Sequence, residues 1–180
     1  MRTVFDEEAE GTEQELVRMN EWQSPEGTLI MELPEGFTNM EENRRDEYFP
    51  LEGRPEIILE HGEEDVQMTL QIFDRQMKAE EAEAAVVQMQ NVVEENFTQY
   101  QYSPVYLELT REIRIGWFLM LMKDIGREHI KAVFSVRGKM ALLTITYPER
   151  VHARWYAIWR MILASMKEKK EDGAFGKWRF

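Results

Sequence analysis

Residues 113–166 constrain the fold of this chain more than any other segment. Two or three long apolar strands come first, with a tight turn at residues 137–139 (Arg-Gly-Lys). After Tyr147-Pro148 the apolar spacing becomes helical, and Trp155 and Trp159 fall on one face of the expected helix. Because an amphipathic helix must bury its apolar face, the segment predicts a sheet with a helix packed on it.

The alternation in residues 66–73 is the clearest strand pattern in the sequence. Valine, methionine, leucine and isoleucine alternate there with glutamine and threonine, which predicts a strand with one buried face. Residues 113–122 are instead apolar at both odd and even positions. We expect them to form a central strand that is covered on both sides.

Residues 79–97 have helical spacing, with an apolar stripe that includes Val86, Val93 and Phe97. The last helix is predicted from about Pro148 to Met166. Weaker patterns predict strands at 28–33, 56–60 and 105–110, a hairpin loop at 61–65, an irregular segment at 40–49, and either a short helix or disorder at 13–22. The order of elements predicts an α+β fold, an antiparallel β-sheet of about six strands flanked by α-helices.

Composition divides the chain into three parts. Residues 1–25 are predicted to be an acidic N-terminal appendage, residues 26–167 a single α+β domain, and residues 168–180 a charged and aromatic C-terminal tail.

Charge and cysteine content limit the partners and the compartment. Residues 1–65 contain 20 acidic and 5 basic side chains, and the whole chain has a net charge of −12. The resulting negative electrostatic potential disfavours binding to nucleic acid and to anionic lipid. It favours either a basic partner or simple solubility. The chain has no cysteine, its acidic start is unlike a secretory signal, and residues 115–122 are too few to span a bilayer. A cytoplasmic location without direct membrane insertion is predicted.

The titratable residues do not form a recognisable catalytic or metal-binding pattern. His61, His129 and His152 lack metal-ligand spacing and are predicted to be surface histidines. The acidic runs are typical of solvated charge, and the serines lie in no nucleophile elbow. We therefore predict no catalytic, cofactor-binding or metal-binding residues, and no enzymatic activity.

Aromatic and methionine side chains are the candidate partner-binding residues. Met68, Trp117, Phe118, Met120 and Met122 are either core residues or an apolar patch on an open sheet face. In the tail, the aromatic residues either fold back on the domain or form a recognition peptide. These tail residues are Phe175, Trp178 and Phe180.

Four local features resemble a known fold. They are TLIMELPEGF at 28–37, YFPLEGRPEIIL at 48–59, IGWFLM at 115–120, and the closing run from FSVRGKMALLTITYPE to ILASMK at 134–167. Together they resemble the Mog1/PsbP-like fold and, within it, the bacterial DUF1795-type, DcrB-like proteins. The resemblance covers about residues 28–167, and it implies an antiparallel sheet flanked by helices.

The resemblance also implies a binding role. Members of the fold bind a Ran GTPase (Mog1), photosystem II (PsbP) or type VI secretion effectors (the Eag-type chaperones), and they share no catalytic residues. In the chaperones, an apolar sheet face shields hydrophobic helices of a client. This chain differs from the exported PsbP and DcrB relatives because its start is acidic where they carry leaders.

Three hypotheses follow from these patterns. The leading one is a non-enzymatic protein-binding module, an adaptor or chaperone for a secreted or membrane-inserting client. Another is a small-molecule or lipid-binding protein, or an unrecognised hydrolase, with a pocket between sheet and helix near Trp117 and Trp155. The third is a homodimer in which the aromatic tail is exchanged between copies.

Overall fold

The computed structural model describes residues 17–170, which contain eleven strands and three α-helices. The strands are β1 (Met19–Gln23), β2 (Leu29–Pro34), β3 (Phe37–Asn39), β4 (Ile57–His61), β5 (Val66–Gln76), β6 (Gln101–Tyr102), β7 (Tyr106–Leu109), β8 (Arg114–Met122), β9 (Arg127–Val136), β10 (Lys139–Pro148) and β11 (Lys167–Glu168). The helices are α1 (Glu42–Tyr48), α2 (Ala82–Asn96) and α3 (His152–Ser165). Short 3₁₀ turns, Ala79–Glu81 and Glu149–Val151, precede α2 and α3.

The strands form two antiparallel sheets. The large sheet has the order β3-β4-β5-β10-β9-β8-β6, and β7 pairs with β8 beside β6. The small sheet has the order β1-β2-β11. Between β9 and β10 the chain turns through Arg137 and Gly138, both with positive φ (48° and 75°), as a tight two-residue hairpin requires.

One face of the large sheet carries the main core. Helix α3 and strand β2 pack against it and bury side chains from five of its strands. Trp155, Trp159 and Ile162 of α3 are each at most 1 % exposed. This face therefore supplies most of the apolar burial that stabilises the fold.

The opposite face of the large sheet is divided into two regions. Helix α2 seals one region through Ala82 and Val86, which pack with Phe118, Val133 and Met140. Gly116 of β8 permits this close approach, because a Cβ atom there would lie 2.4 Å from Val86 Cγ1. The other region of this face, over β5, β10 and β9, carries polar side chains and lies outside the α2 contact.

The predicted α+β class and antiparallel sheet are confirmed. The sheets contain more than the expected six strands, because short edge strands add to the long ones. The helix predicted within 13–22 is wrong over residues 19–22, which pair with β2 as a strand. The prediction of an irregular segment at 40–49 is also wrong, since this segment contains α1. Strand β1 lies within residues 1–25, the predicted N-terminal appendage. None of the helices in the described range has the length and hydropathy of a membrane span.

Candidate ligand-binding cleft

The five aromatic and methionine candidates within residues 17–170 are buried. Met68, Trp117, Phe118, Met120 and Met122 are each at most 8 % exposed. By strand alternation they also divide between the two faces of the large sheet, since Trp117 faces α3 and Phe118 faces α2. In this structure they do not form one open patch. The tail candidates Phe175, Trp178 and Phe180 lie outside the described residues.

A pocket was predicted near Trp117 and Trp155, but packed rings surround Trp117, and the open space lies beside Trp155 alone, in a cleft of about 370 Å³ that His61 and Arg154 also line. The Trp117 ring lies 6.3 Å from Trp159 and 4.7 Å from Tyr106 between ring centroids. Trp155 packs edge-on against Phe37, and its indole Nε1 donates a hydrogen bond to Glu64. The two tryptophans thus belong to separate aromatic clusters in the core.

A separate cleft lies on the polar region of the opposite sheet face. It has a volume of about 270 Å³ and is formed by β5, β9 and β10 together with the segment after α1. Its lining residues are Phe49, Pro55, Gln67, Thr69, Gln71, His129, Lys131, Leu142, Thr144 and Thr146.

Strand register places six of the seven polar side chains that line the cleft in two rows. Thr69, Thr144 and Lys131 are direct cross-strand partners in the first row. Gln67, Thr146 and His129 form the second row. Side chains directly opposite on one face lie about 5 Å apart at Cβ, so hydroxyl, amide, imidazole and ammonium groups converge on one small volume.

Lys131 is the charged group at the centre of the cleft. Its side chain is half-buried, and within residues 17–170 it makes no ion pair or hydrogen bond. Burial lowers the pKa of Lys131 to about 8, because desolvation disfavours the ammonium form. At pH 7 the ammonium therefore remains the major form, with its charge uncompensated.

His129 presents a second incompletely paired group to the same cleft. Its Nδ1 lies 2.9 Å from the hydroxyl oxygen of Thr146. Its Nε2 is buried without a hydrogen-bond partner among the described residues. Burial, together with the positive charges of Lys131 and Arg127, holds the pKa of His129 well below its usual range. The imidazole is therefore neutral at pH 7.

Ion pairs fix the segment that borders the cleft. Arg54 pairs with Glu42 and with Asp46, which ties the residues after α1 back to that helix. Arg44 of α1 donates a bifurcated hydrogen bond from Nε to both carboxylate oxygens of Glu60 on β4, at 3.1 and 2.9 Å. The apolar rings of Phe49 and Pro55 are thereby held at the edge of the polar sheet face.

Comparisons with solved structures identify the fold. The chain is similar to CyanoP, the cyanobacterial PsbP from Synechocystis sp., with a TM-score of 0.59 and 10 % identity over 92 % of this chain and 99 % of that one. It is also similar to LpqN, which is involved in cell envelope biogenesis of Mycobacterium tuberculosis, with a TM-score of 0.52 and 8 % identity over 86 % and 92 % of the two chains. A protein from Bacteroides thetaiotaomicron has a TM-score of 0.51 and 10 % identity, and the match covers 84 % of this chain and 48 % of that one.

The chain has a PsbP-like fold. No family model and no curated protein matches the sequence, so membership of the DUF1795-type group stays a prediction. At identities near 10 %, these neighbours establish the fold alone.

The histidines of this PsbP-like domain are in three different settings. His129 was predicted to be a surface histidine, and it lies on β9, where it is partly buried and lines the cleft. His61 is only 8 % exposed, with Nε2 3.2 Å from the Glu35 carbonyl oxygen, so the surface prediction is wrong for it. The His152 side chain is largely exposed, and its Nδ1 lies 2.6 Å from the buried Glu128 carboxylate. Within residues 17–170, no three His, Cys, Asp or Glu side chains gather as a metal site would require.

The sequence patterns predicted strands in all three parts of the chain whose strands form the cleft, but they did not predict the cleft itself. The glutamines and threonine of β5 were correctly placed opposite the apolar side chains, and were read only as the polar face of a strand. The overlooked signal is Lys131, a charged residue that follows His129 on one side of β9 and precedes the apolar Val133 on that side.

Proposed function

We propose that this protein is a non-enzymatic binding module that holds a small molecule in the Lys131 cleft. The observation that carries the proposal is the half-buried ammonium of Lys131 without a compensating charge. A charge removed from water without a partner costs free energy. A bound ligand that supplies a partner recovers part of that cost.

The size and lining of the cleft agree with a small ligand. Its volume of about 270 Å³ lies just below the range of about 300–1,000 Å³ for small-molecule sites, which limits the ligand to a compact one. Phe49, Pro55 and Leu142 supply apolar surface, while the two polar rows supply donors and acceptors. A mainly apolar wall with a few convergent polar groups is typical of ligand pockets.

A ligand screen tests this proposal. We expect a small-molecule library to contain compounds that raise the thermal unfolding midpoint of the wild-type chain and shift NMR signals of cleft residues. The same compounds should lose their effect on Lys131→Met and keep it on Lys167→Met, which changes an exposed lysine of β11. Equal effects on both variants, or signals that shift only outside the cleft, would contradict the proposal.

A protein partner is the second candidate, and edge strand β7 favours it. Leu107 and Leu109 are 45 % and 71 % exposed, and in the described part of the chain β7 pairs only with β8. An exposed strand edge with apolar side chains can receive an extended segment of another protein. We propose that the β7 edge is the contact through which the protein acts in the cytoplasm as an adaptor or chaperone. Its client would be a secreted or membrane-inserting protein.

A further inference from the structure

The charges that face the cleft leave one unmatched positive group. Arg127 of β9 pairs with Asp65 at 2.7 Å, and Glu60 of β4 pairs with Arg44 of α1 at 2.8 Å. His129 is neutral at pH 7 because its pKa is lowered. Among the described groups around the cleft, the ammonium of Lys131 is therefore the charge that a bound ligand has to neutralise.

His129 and Thr144 lie beside Lys131 on the same side of the sheet, where both can donate hydrogen bonds to a carboxylate. When the Thr146 hydroxyl donates to Nδ1 of His129, the Nε2–H group of His129 is left to donate. His129 and Lys131 are two residues apart on one strand and point to the same side. Thr144, directly opposite Lys131 on β10, adds a hydroxyl to the same side. Hydrogen bonds from such groups to an ionised acceptor are stronger than neutral ones.

The rest of the cleft fits a compact apolar body. Phe49 and Pro55 lie on the segment after α1, and Leu142 lies one pleat along β10 from Thr144. The volume of about 270 Å³ suits a single ring or a short alkyl chain, and a lipid tail would exceed it. A single ammonium also matches a monoanion better than it matches a phosphate dianion.

We propose that the cleft binds a small organic carboxylate, with the carboxylate group at Lys131 and His129 and an apolar body against Phe49, Pro55 and Leu142. This inference rests on the proposed function, because it names the ligand class of the same cleft.

The affinity for a carboxylate should depend on pH. The pKa of Lys131 in the unliganded protein determines the direction of that dependence. A carboxylate binds the ammonium form, so the affinity is highest below the pKa of about 8. Above that pH the affinity falls by up to about tenfold per pH unit until the bound-state pKa is reached. His129, with its lowered pKa, stays neutral throughout this range, while Arg44, whose pKa is raised by its hydrogen bonds to Glu60, stays charged.

Benzoate, benzamide and benzylamine form a matched set of probes that differ in charge. We expect benzoate, added to the full chain at pH 7, to shift the NMR signals of residues 129–131 and 144–146. Benzamide and benzylamine should bind at least about tenfold more weakly. Lys131→Met should lose about tenfold or more in benzoate affinity, while Lys167→Met should bind as the wild type does. Benzoate should also raise the NMR-measured pKa of Lys131.

Several results would overturn the inference, and they separate it from the proposed function. Benzamide that binds in the cleft as tightly as benzoate would keep the binding role and reject the carboxylate. Inorganic phosphate that binds there more tightly than benzoate would replace the carboxylate with a different oxyanion. If none of these probes shifts the cleft signals, the carboxylate inference fails, and the library screen decides separately whether the cleft binds anything.

Discussion

At the scale of single residues, Lys131 has an energetic cost that its environment explains. A half-buried ammonium without a counter-ion destabilises the folded state, because the unfolded chain hydrates the same group fully. The position that makes the ammonium unfavourable in the unliganded protein is also the position from which it can contact a ligand in the cleft. Binding sites commonly retain such locally unfavourable groups.

Replacement of this lysine by an apolar side chain should therefore stabilise the unliganded protein. We expect Lys131→Met to raise the free energy of unfolding at pH 7 by about 1–3 kcal/mol. The pKa of Lys131 is about 8 in the folded protein, against 10.5 ordinarily. The cost is thus fully present below pH 8, and it disappears as the pH rises from 8 toward 10.5.

Urea unfolding at pH 7 and at pH 9.5 measures this effect. The gap between Lys131→Met and wild type should be smaller at the higher pH. For Lys167→Met, on the surface, we expect a difference near zero at both values. A Lys131→Met protein that is less stable than wild type at pH 7 would show that the lysine has a compensating partner.

At the scale of secondary-structure elements, the contact between α2 and β8 depends on Gly116. A Cβ atom at this position would lie 2.4 Å from Val86 Cγ1 and 3.2 Å from the Ala82 carbonyl oxygen. We expect Gly116→Ala to reduce the free energy of unfolding by about 1–3 kcal/mol, since overpacking displaces the helix. Chemical denaturation monitored by tryptophan fluorescence measures the loss.

A matched control is available in Gly62. This residue has no atom within 4 Å of an added Cβ and does not have positive φ, so Gly62→Ala should be nearly neutral. Addition of Val86→Ala to Gly116→Ala should recover part of the lost stability, because the clash is with the valine side chain. A double variant whose loss equals the sum of the two single losses would indicate that the steric explanation is wrong.

The sequence predicted these elements unequally, for physical reasons. The period of two in β5 and the double-sided apolarity of β8 follow from burial in a sheet, so both strands were recognised. Strand β1 was not predicted, and its region was expected to be either a short helix or disordered, because its few residues are held by pairing with β2 rather than by local spacing. Strand β9 begins with residues 127–131 (Arg-Glu-His-Ile-Lys), which resemble a loop in sequence because most of them are polar.

The candidate site was less predictable than the fold. Its polar rows depend on the register of three strands, and its apolar edge comes from Phe49 and Pro55, far away in sequence. Whether Lys131 has a counter-ion depends on where Glu60 and Arg44 pair. The pattern of a single sequence indicates which residues of a strand share a face, but it does not indicate which residues of other strands lie beside them.

At the scale of the whole molecule, the two candidate functions involve different surfaces. The cleft lies over β5, β10 and β9, whereas β7 lies at the outer edge beyond β8. A ligand and a protein partner need not compete for the same residues. Each role can therefore be removed without the other.

Substitution at the β7 edge tests the protein-binding candidate. We expect a Leu107→Lys, Leu109→Lys variant to lose a partner that affinity purification recovers with wild type, since charge on an edge strand opposes strand addition. Leu51→Lys should retain it, because Leu51 is also exposed (79 %) but lies in the segment after α1. A partner recovered equally with all three proteins would show that β7 is not the contact.

The alternation of β5 side chains between the cleft and the main core also has an evolutionary consequence. Gln67, Thr69 and Gln71 point away from the main core, while the intervening Met68 and Leu70 supply it. Mutations can therefore alter ligand preference at alternate positions of β5 without the loss of packing that usually limits protein evolution. In this domain the residues under selection for recognition and those under selection for folding occupy the same strand with little mutual interference.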